Sequence, residues 1–362
     1  MRLELRPRLH RSTRLTLAVS LASVTVALGL GGVLLWIAGV EPLAALRAIF
    51  SASLFGGAFA LSDTTVKATP LLLCGLACLL AFRARLWNVG AEGQLLLGAW
   101  AATGVASFWL PPSLPAPLML TLMGLAAIVA GGAWAGISGA LRSYLGVSEI
   151  ISSLMLVYIA QKLLNYFVFG PWSERGFPLT PPFPRSAWLP RLSDWADGCP
   201  ALSGLTVHLG MVLALVVCLL MWLLVQRSVW GFELRILGDS PRAARYVGVP
   251  VERRMLVTMI LSGALAGLAG MVEVAGVVHR LQDRFSPGYG FVGIAVAWLA
   301  RLNPLGVVLG AFLFAALLVG AREVQPGGIS IMLQGVVMLG VVAGDFVLRY
   351  RIQRREREAA RG

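Results

Sequence analysis

The stretch Phe82–Trp100, FRARLWNVGAEGQLLLGAW, decides how this chain is read. Arg83 and Arg85 close one apolar run, and Glu92 stands at the head of the next, with glycines at 90, 93 and 98. A carboxylate at the edge of a membrane-grade segment is costly unless it has a partner or a task. One reading is local: Asn88 caps a helix starting near Val89. Glu92 then occupies the first turn, where the helix dipole favours a negative charge by about 0.3–1 kcal/mol. The other reading gives Glu92 and Gln94 polar contacts beyond their own helix. The glycines fit either, because they let neighbouring helices approach closely.

Outward from this stretch, the 362 residues are 58% hydrophobic and only 13% charged, with mean hydropathy +0.80, whereas a soluble protein carries about a quarter charged residues. The apolar residues come in blocks of roughly 17–25, the length that crosses a bilayer core as a helix. A barrel would show alternating segments of about ten. The fold expected is therefore all-α, a polytopic transmembrane bundle. The formal charge of +13 does not point to nucleic acid, because the basic residues cluster at the ends of the apolar runs. Cys74, Cys78 and Cys218 lie inside runs and Cys199 in a polar loop, so no disulfide framework is expected. The first run follows a basic head without a clear small-residue cleavage site and reads as a retained span.

Ten spans are expected: Leu15–Val40, Thr65–Phe82, Val89–Leu110, Leu118–Leu141, Ile150–Phe169, Thr206–Val225, Met255–Val278, Gly288–Ala300, Leu305–Ala321 and Ile329–Leu348. With the N-terminus cytoplasmic, the inside loops hold 21 basic residues and the outside loops eight, Lys67 among the latter and Lys162 within a span. That bias places both termini inside. The eighth segment covers only about 20 Å at 1.5 Å per residue. Without it the arginine-rich tail would lie outside, so it is read as a short or broken helix lining a cavity. Spans 2–5 and 7–10 then form two sets of opposite direction, an inverted repeat, each with a Gly-rich entry: NVGAEGQ in the first and SPGYGFVGIA in the second. The domain reading is a basic cytoplasmic N-terminus (1–14), a membrane domain (15–348) and a basic cytoplasmic tail (349–362). Within the membrane domain, 170–205 is an irregular Pro- and Trp-rich outer loop, and 226–254 is the largest cytoplasmic loop.

That cytoplasmic loop reads as two short helices. GFELRILGD ends in a Gly-Asp stop, with Gly238 expected at a left-handed turn. SPRAARYVGV opens with a cap residue and a proline at the first helical position. It either docks on a partner or lies on anionic lipid through Arg235, Arg242 and Arg245. There is no phosphate-binding G-x-x-x-x-G-K-[ST] loop and no H-E-x-x-H. His10, His208 and His279 are scattered and read as interface residues. No catalytic residue, metal site or cofactor is expected on this chain.

The region VWGFELRILGDSPRAARYVGVPVERRMLVTMILSGALAGLAG resembles the coupling-loop region of importer permeases driven by ATP-binding-cassette subunits, in the branched-chain amino acid, ribose and nucleoside group. LWNVGAEGQLLLGAW is similar to the signature of the nucleoside and simple-sugar permeases. GVSEIISSLMLVYIA (Gly146–Ala160), FSPGYGFVGIAVAWLARLNPLGVVLGA (Phe285–Ala311) and Gly170–Pro171 match the same pattern. The likeness runs from about residue 41 to residue 340. Ser148 and Val157 depart from it, standing where the family often has Asn or a similar polar group.

The resemblance implies a permease subunit in a bacterial inner membrane that forms the pathway for nucleosides or simple sugars by alternating access. The implied partners are an ATPase that uses the ATP, a second permease chain, commonly non-identical, and a periplasmic or lipoprotein substrate-binding protein. Its coupling-loop residues would be Gly231, Phe232, Glu233, Arg235, Gly238, Ala243, Ala244, Arg245 and Gly248. Asn88, Glu92, Gln94, Glu149 and Glu273 are the candidate pathway residues. An ion-coupled secondary transporter is the alternative, and it would need Glu273 as a deep proton or sodium site.

Overall fold

The structure, a computed structural model, describes residues 2–7, 13–325 and 328–355. The expected basic ends at 1–14 and 349–362 fall partly outside these residues, as does His10. The chain divides into two compact units, residues 51–319 and residues 1–50 with 320–362.

In the larger unit two helices, α3 (Ala58–Arg83) and α10 (Val251–Glu273), form the centre. α3 is buried on nearly every side along its second half, as expected of a helix that is apolar all round. α4 (Ala91–Gly104), α5 (Ala116–Leu145) and α10 pack through glycine. A Cβ on Gly98 would lie 2.2 Å from the carbonyl oxygen of Gly267, one on Gly263 2.3 Å from that of Gly131, and one on Gly270 2.1 Å from that of Leu95. No side chain fits there, so the three helices touch backbone to backbone, the small-residue packing that replaces hydrophobic drive in lipid. On the other side α3 packs against α11 (Tyr289–Leu299), where Gly293 meets Cys74, and against α12 (Pro304–Gly320), where Gly75 meets Val307.

α5 and α6 (Glu149–Phe169) form a hairpin. Gly146 stops α5 in the left-handed region at φ 68°, with the N–H groups of Gly146 and Val147 returning to Arg142 and Leu141. α7 (Gly210–Arg227) leads into α8 (Val229–Asp239) and α9 (Pro241–Tyr246). The two short helices expected between 226 and 254 are present. The Ser228 hydroxyl accepts from Gly231 N–H at 3.1 Å, and that of Ser240 from Ala243 N–H at 3.3 Å, each capping the helix that follows. In the smaller unit α1 (Thr13–Ile37) packs on α13 (Ile329–Arg349), Gly31 facing Leu333 and Gly340 facing Ala27. α2 (Pro42–Phe50) continues as a π-helical turn at Ser51–Phe55, helix that the sequence reading left as a connection. Strands β1 (Arg2–Pro7) and β2 (Tyr350–Arg355) pair antiparallel; every other named element among the described residues is helical.

Among the described residues, six helical stretches are long and apolar enough to cross a bilayer: Ala58–Arg83, Ala116–Leu145, Glu149–Phe169, Gly210–Arg227, Val251–Val278 and Pro304–Glu323. This is a multi-pass helical membrane protein. The count of ten is not matched by ten full-length helices. The third expected span is α4, only 14 residues, continued by a π turn at Val105–Trp109. The eighth is α11, 11 residues. Both follow glycine-rich entries that delay the helix start. Lys67, counted with the outside charges although the second expected span begins at Thr65, lies within α3.

Candidate functional site

The residues before α4 form a closed polar knot. Asn88 and Gln94 exchange two amide hydrogen bonds, Nδ2 to Oε1 at 2.9 Å and Nε2 to Oδ1 at 2.8 Å. Asn88 Oδ1 also accepts from Gly90 N–H at 3.1 Å, and its Nδ2 donates to the Ser262 hydroxyl, which donates on to the Ala77 carbonyl. The helix begins at Ala91 with Gly90 as its cap position. Asn88 is therefore not the N-cap; it folds the entry turn and ties it to α10 and α3. Both amides are buried and bonded to each other.

Glu92 points elsewhere. It sits in the first turn of α4, and its Oε2 accepts from Gly290 N–H, in the first turn of α11, at 2.7 Å. The Ser286 hydroxyl bonds to the same carboxylate. The two Gly-rich entries of the sequence thus meet: a Cβ on Gly290 would fall 2.2 Å from Glu92 N. Each helix start carries about half a positive charge, and one carboxylate faces both. The local reading of Glu92 is correct but incomplete, because the second helix it serves is 198 residues away in sequence.

The other two candidates have structural partners. Glu149 accepts from Trp87 N–H and Arg142 Nε, both at 3.2 Å, locking the entry loop to the α5–α6 hairpin. Glu273 takes Lys67 Nζ at 2.9 Å and the Tyr289 hydroxyl at 3.3 Å on Oε1. Its Oε2 is buried without a partner among the described residues. The charge that looked like an ion site is half of an internal ion pair.

A cavity of about 200 Å³ opens beside the α4–α11 junction. Of the five sequence candidates only Glu92 lines it. Gln161 and Asn165 from α6 and Asp283, Arg284 and Ser286 from the loop before α11 supply its other polar groups. With its amide nitrogen turned toward the acceptors, Asn165 donates to Asp283 Oδ1 at 3.2 Å and to the Gln161 carbonyl at 3.1 Å. Gln161 and Asn165 stand one helical turn apart on α6, a signal present in the sequence; Asp283 and Arg284 read only as loop charges. The wall combines carboxylate, amide, guanidinium and hydroxyl groups with Leu96, Leu164 and Phe291.

Residues 170–205 form a cap seated on the end of α10. Thr180 N–H bonds to Leu281 O and Phe183 N–H to His279 O, both at 2.8 Å, and Leu189 N–H to Ala275 O at 3.0 Å. Arg191 Nη2 donates to Gly276 O at 2.8 Å and contacts His279 Nε2, and the His279 ring stacks on Trp188 at 3.6 Å. Burial, then the Arg191 cation, pulls the His279 pKa down to about 4 against an ordinary 6.5, with Arg185 adding to the fall and Asp194 opposing it. His208, buried with Arg191, His279 and Lys67 around it, is likewise pulled down to about 4. Both rings are neutral in the folded cap. Their contribution is full above pH about 6.5 and is lost as pH falls toward about 4, because the unfolded loop takes up protons first. Protease cleavage within 170–205 in outward-exposed vesicles is expected to rise several-fold between pH 7.5 and 4.5. Unchanged cleavage would show that the histidines do not hold the cap.

The coupling-loop candidates divide into an inner and an outer set. Leu234, Leu237 and Ala244 face inward, while Phe232 and Tyr246 are 56% and 93% exposed and Arg235, Arg242 and Arg245 are exposed with them. Glu233 pairs with Arg254 and Arg245 with Glu252, both at 2.5 Å, and Gly248 turns the chain out of α9 at φ 85°. Gly238 departs from expectation. It is inside α8, not at a left-handed turn, and a Cβ there would lie 2.3 Å from Arg83 O. Close approach to the end of α3, not backbone freedom, is what requires glycine.

A bundle with two interrupted helices meeting at a polar cavity, and a helical insert on one face, defines a membrane transport subunit. The family described as branched-chain amino acid transport system / permease component matches residues 60–342, and the chain belongs to it. The chain is 37% identical to the glucose ABC transporter permease protein of Haloferax volcanii, over 97% of this chain and 93% of that one. It is 32% identical to the guanosine ABC transporter permease protein of Bacillus subtilis, over 95% and 98%. It is 28% identical to the nucleoside ABC transporter permease protein of Lactococcus lactis, over 92% and 91%. The first two organisms each have a second, more distant match whose name carries the same substrate, putatively in the Haloferax case. No solved structure matches the chain significantly.

Proposed function

We propose that this chain is one of two non-identical permease chains of an ATP-driven importer for nucleosides, with simple sugars as the second reading. The cavity at the α4–α11 junction carries the proposal, since its acceptors and donors suit ribose hydroxyls and its apolar side suits a flat ring. The glucose-named relative at 37% identity is what favours the sugar reading. The paired permeases in two organisms support a second, different permease chain. ATP acts on a partner ATPase, and a periplasmic or lipoprotein binding protein delivers the solute outside; this chain binds no cofactor of its own. Uptake of labelled nucleosides, pentoses and hexoses into cells expressing the whole operon tests the reading; import of none of them would end it.

Ten crossings with both termini cytoplasmic fit the positive-inside bias, with α4 and α11 as half-helices completed by loop. The β1–β2 pairing of the two ends is consistent with termini on one face. An inverted repeat is supported by reciprocal packing: α10 lies on α4 and α5 as α3 lies on α11 and α12. ATP binding on the partner moves α8 and α9, and α8 passes the motion to the end of α3 through Gly238. Gly238→Val drives a side chain into the Arg83 carbonyl, and Phe232→Ala removes an exposed anchor. Both are expected to lower ATPase co-purification about tenfold or more while the chain stays inserted. Wild-type recovery of the ATPase with both would place the loop on lipid instead.

A further inference from the structure

The outward face of α6 changes character along its length. Its inner half exposes Ile150, Ile151 and Met155. From the middle onward, besides Ile159 and Phe169, it exposes Tyr158, Gln161, Lys162 and Tyr166, with Asn165 half-buried between them. At about 100° per residue these five positions fall within an arc of about 140°. Gln161 and Asn165 also line the cavity, so the stripe continues the cavity's wall around the helix. Lys162 has no hydrogen-bond or ion-pair partner among the described residues. It stands about 20 Å along the helix from Glu149 and about 10 Å from Phe169. Hydrocarbon is a poor environment for an ammonium beside an amide and two tyrosine hydroxyls, and intramembrane cations of this kind face water-filled routes or partners.

We propose that Lys162 contacts the solute and reads the nucleobase, a step that rests on the importer reading above. A lysine offers three donors and no acceptor. That suits the ring carbonyls and ring nitrogens of a base, while the faces of Tyr158 and Tyr166 stack on the flat ring. Glu92, Gln161 and Asp283 are left for the ribose hydroxyls. A sugar without a base would use that polar set and have no need of a donor-only cation flanked by aromatic rings. The opposite wall of this track is the second permease chain, because α6 is open on that side.

Two measurements on the complete importer test this. In a Cys199→Ser background, where the remaining cysteines are buried, Lys162→Cys is expected to react with a charged thiol reagent, and guanosine, but not glucose, slows the reaction. Ile150→Cys, on the apolar inner half of the helix, stays unreacted. Lys162→Met is expected to raise the KM for guanosine about tenfold with kcat within about twofold, and Lys162→Arg to restore most of it. Absence of labelling at Lys162→Cys, labelling that guanosine does not slow, or an unchanged KM in Lys162→Met overturns the proposal while leaving the importer reading intact. A wild-type complex that imports glucose and no nucleoside overturns the nucleoside reading and this inference with it.

Discussion

Glu273→Ala is expected to leave little intact complex in the membrane. The substitution strands the Lys67 ammonium, whose side chain is 16% exposed, against a carboxylate site 1% exposed. Removing one member of a buried pair costs about 3–5 kcal/mol, a large share of the roughly 5–15 kcal/mol that holds a domain folded. Replacing both members, Lys67→Met with Glu273→Leu, should return assembly to near wild type, because a well-packed apolar pair avoids the desolvation of two charges. Blotting for the assembled complex in membranes reads the result. Glu273→Ala at wild-type abundance would show that the pair is not holding α3 to α10. Import by the double variant would also remove the ion-coupled alternative, which needs Glu273 as its ion site.

Glu92→Gln is expected to act on transport and not on abundance. The amide keeps an acceptor for Gly290 N–H but loses the charge shared by two helix starts, each contributing about 0.3–1 kcal/mol and up to about 2 when partly buried. Hydrogen bonds to a charged group are worth about 1.5–3 kcal/mol against about 1 for a neutral one. Together these predict a fall in uptake of about tenfold to a hundredfold with the complex still formed. Asn88→Ala should do the reverse. It strands both ends of the Gln94 amide in a buried site, at about 1–3 kcal/mol per group, so the amount of complex drops while the complexes that form still import. Equal mild losses in both would mean that the α4–α11 junction is only a packing contact.

Much of the bundle was legible because hydrophobic length and helix-cap chemistry are local. Ser240 and Pro241 announce α9 in one glance, and the short eighth segment is short in the structure. Gly238 shows the limit: a glycine near a helix end looks the same whether it serves a left-handed turn or a neighbouring carbonyl. Lys67 counts in the sequence only as one basic residue near the end of a span, and only the fold brings Glu273 within 2.9 Å of it. The cavity joins residues near 92, 161 and 283, and no periodicity within one element can announce that meeting. The entry to α2 was missed because Pro42 lies so close behind the first run that the intervening residues looked like a connector.

The glycine seam joining α4, α5 and α10 has a kinematic consequence. Helices separated by side chains can slide, since rotamers yield by small amounts as ridges pass grooves. Where carbonyl oxygens lie about 2 Å from the place a Cβ would take, there is nothing to yield. These three helices therefore travel as one stiff plate through the transport cycle. The hinges belong outside this seam, where side chains separate the elements. A displacement of any one of the three helices turns the plate as a whole, and the cavity changes shape because its walls are split between the plate and what moves against it.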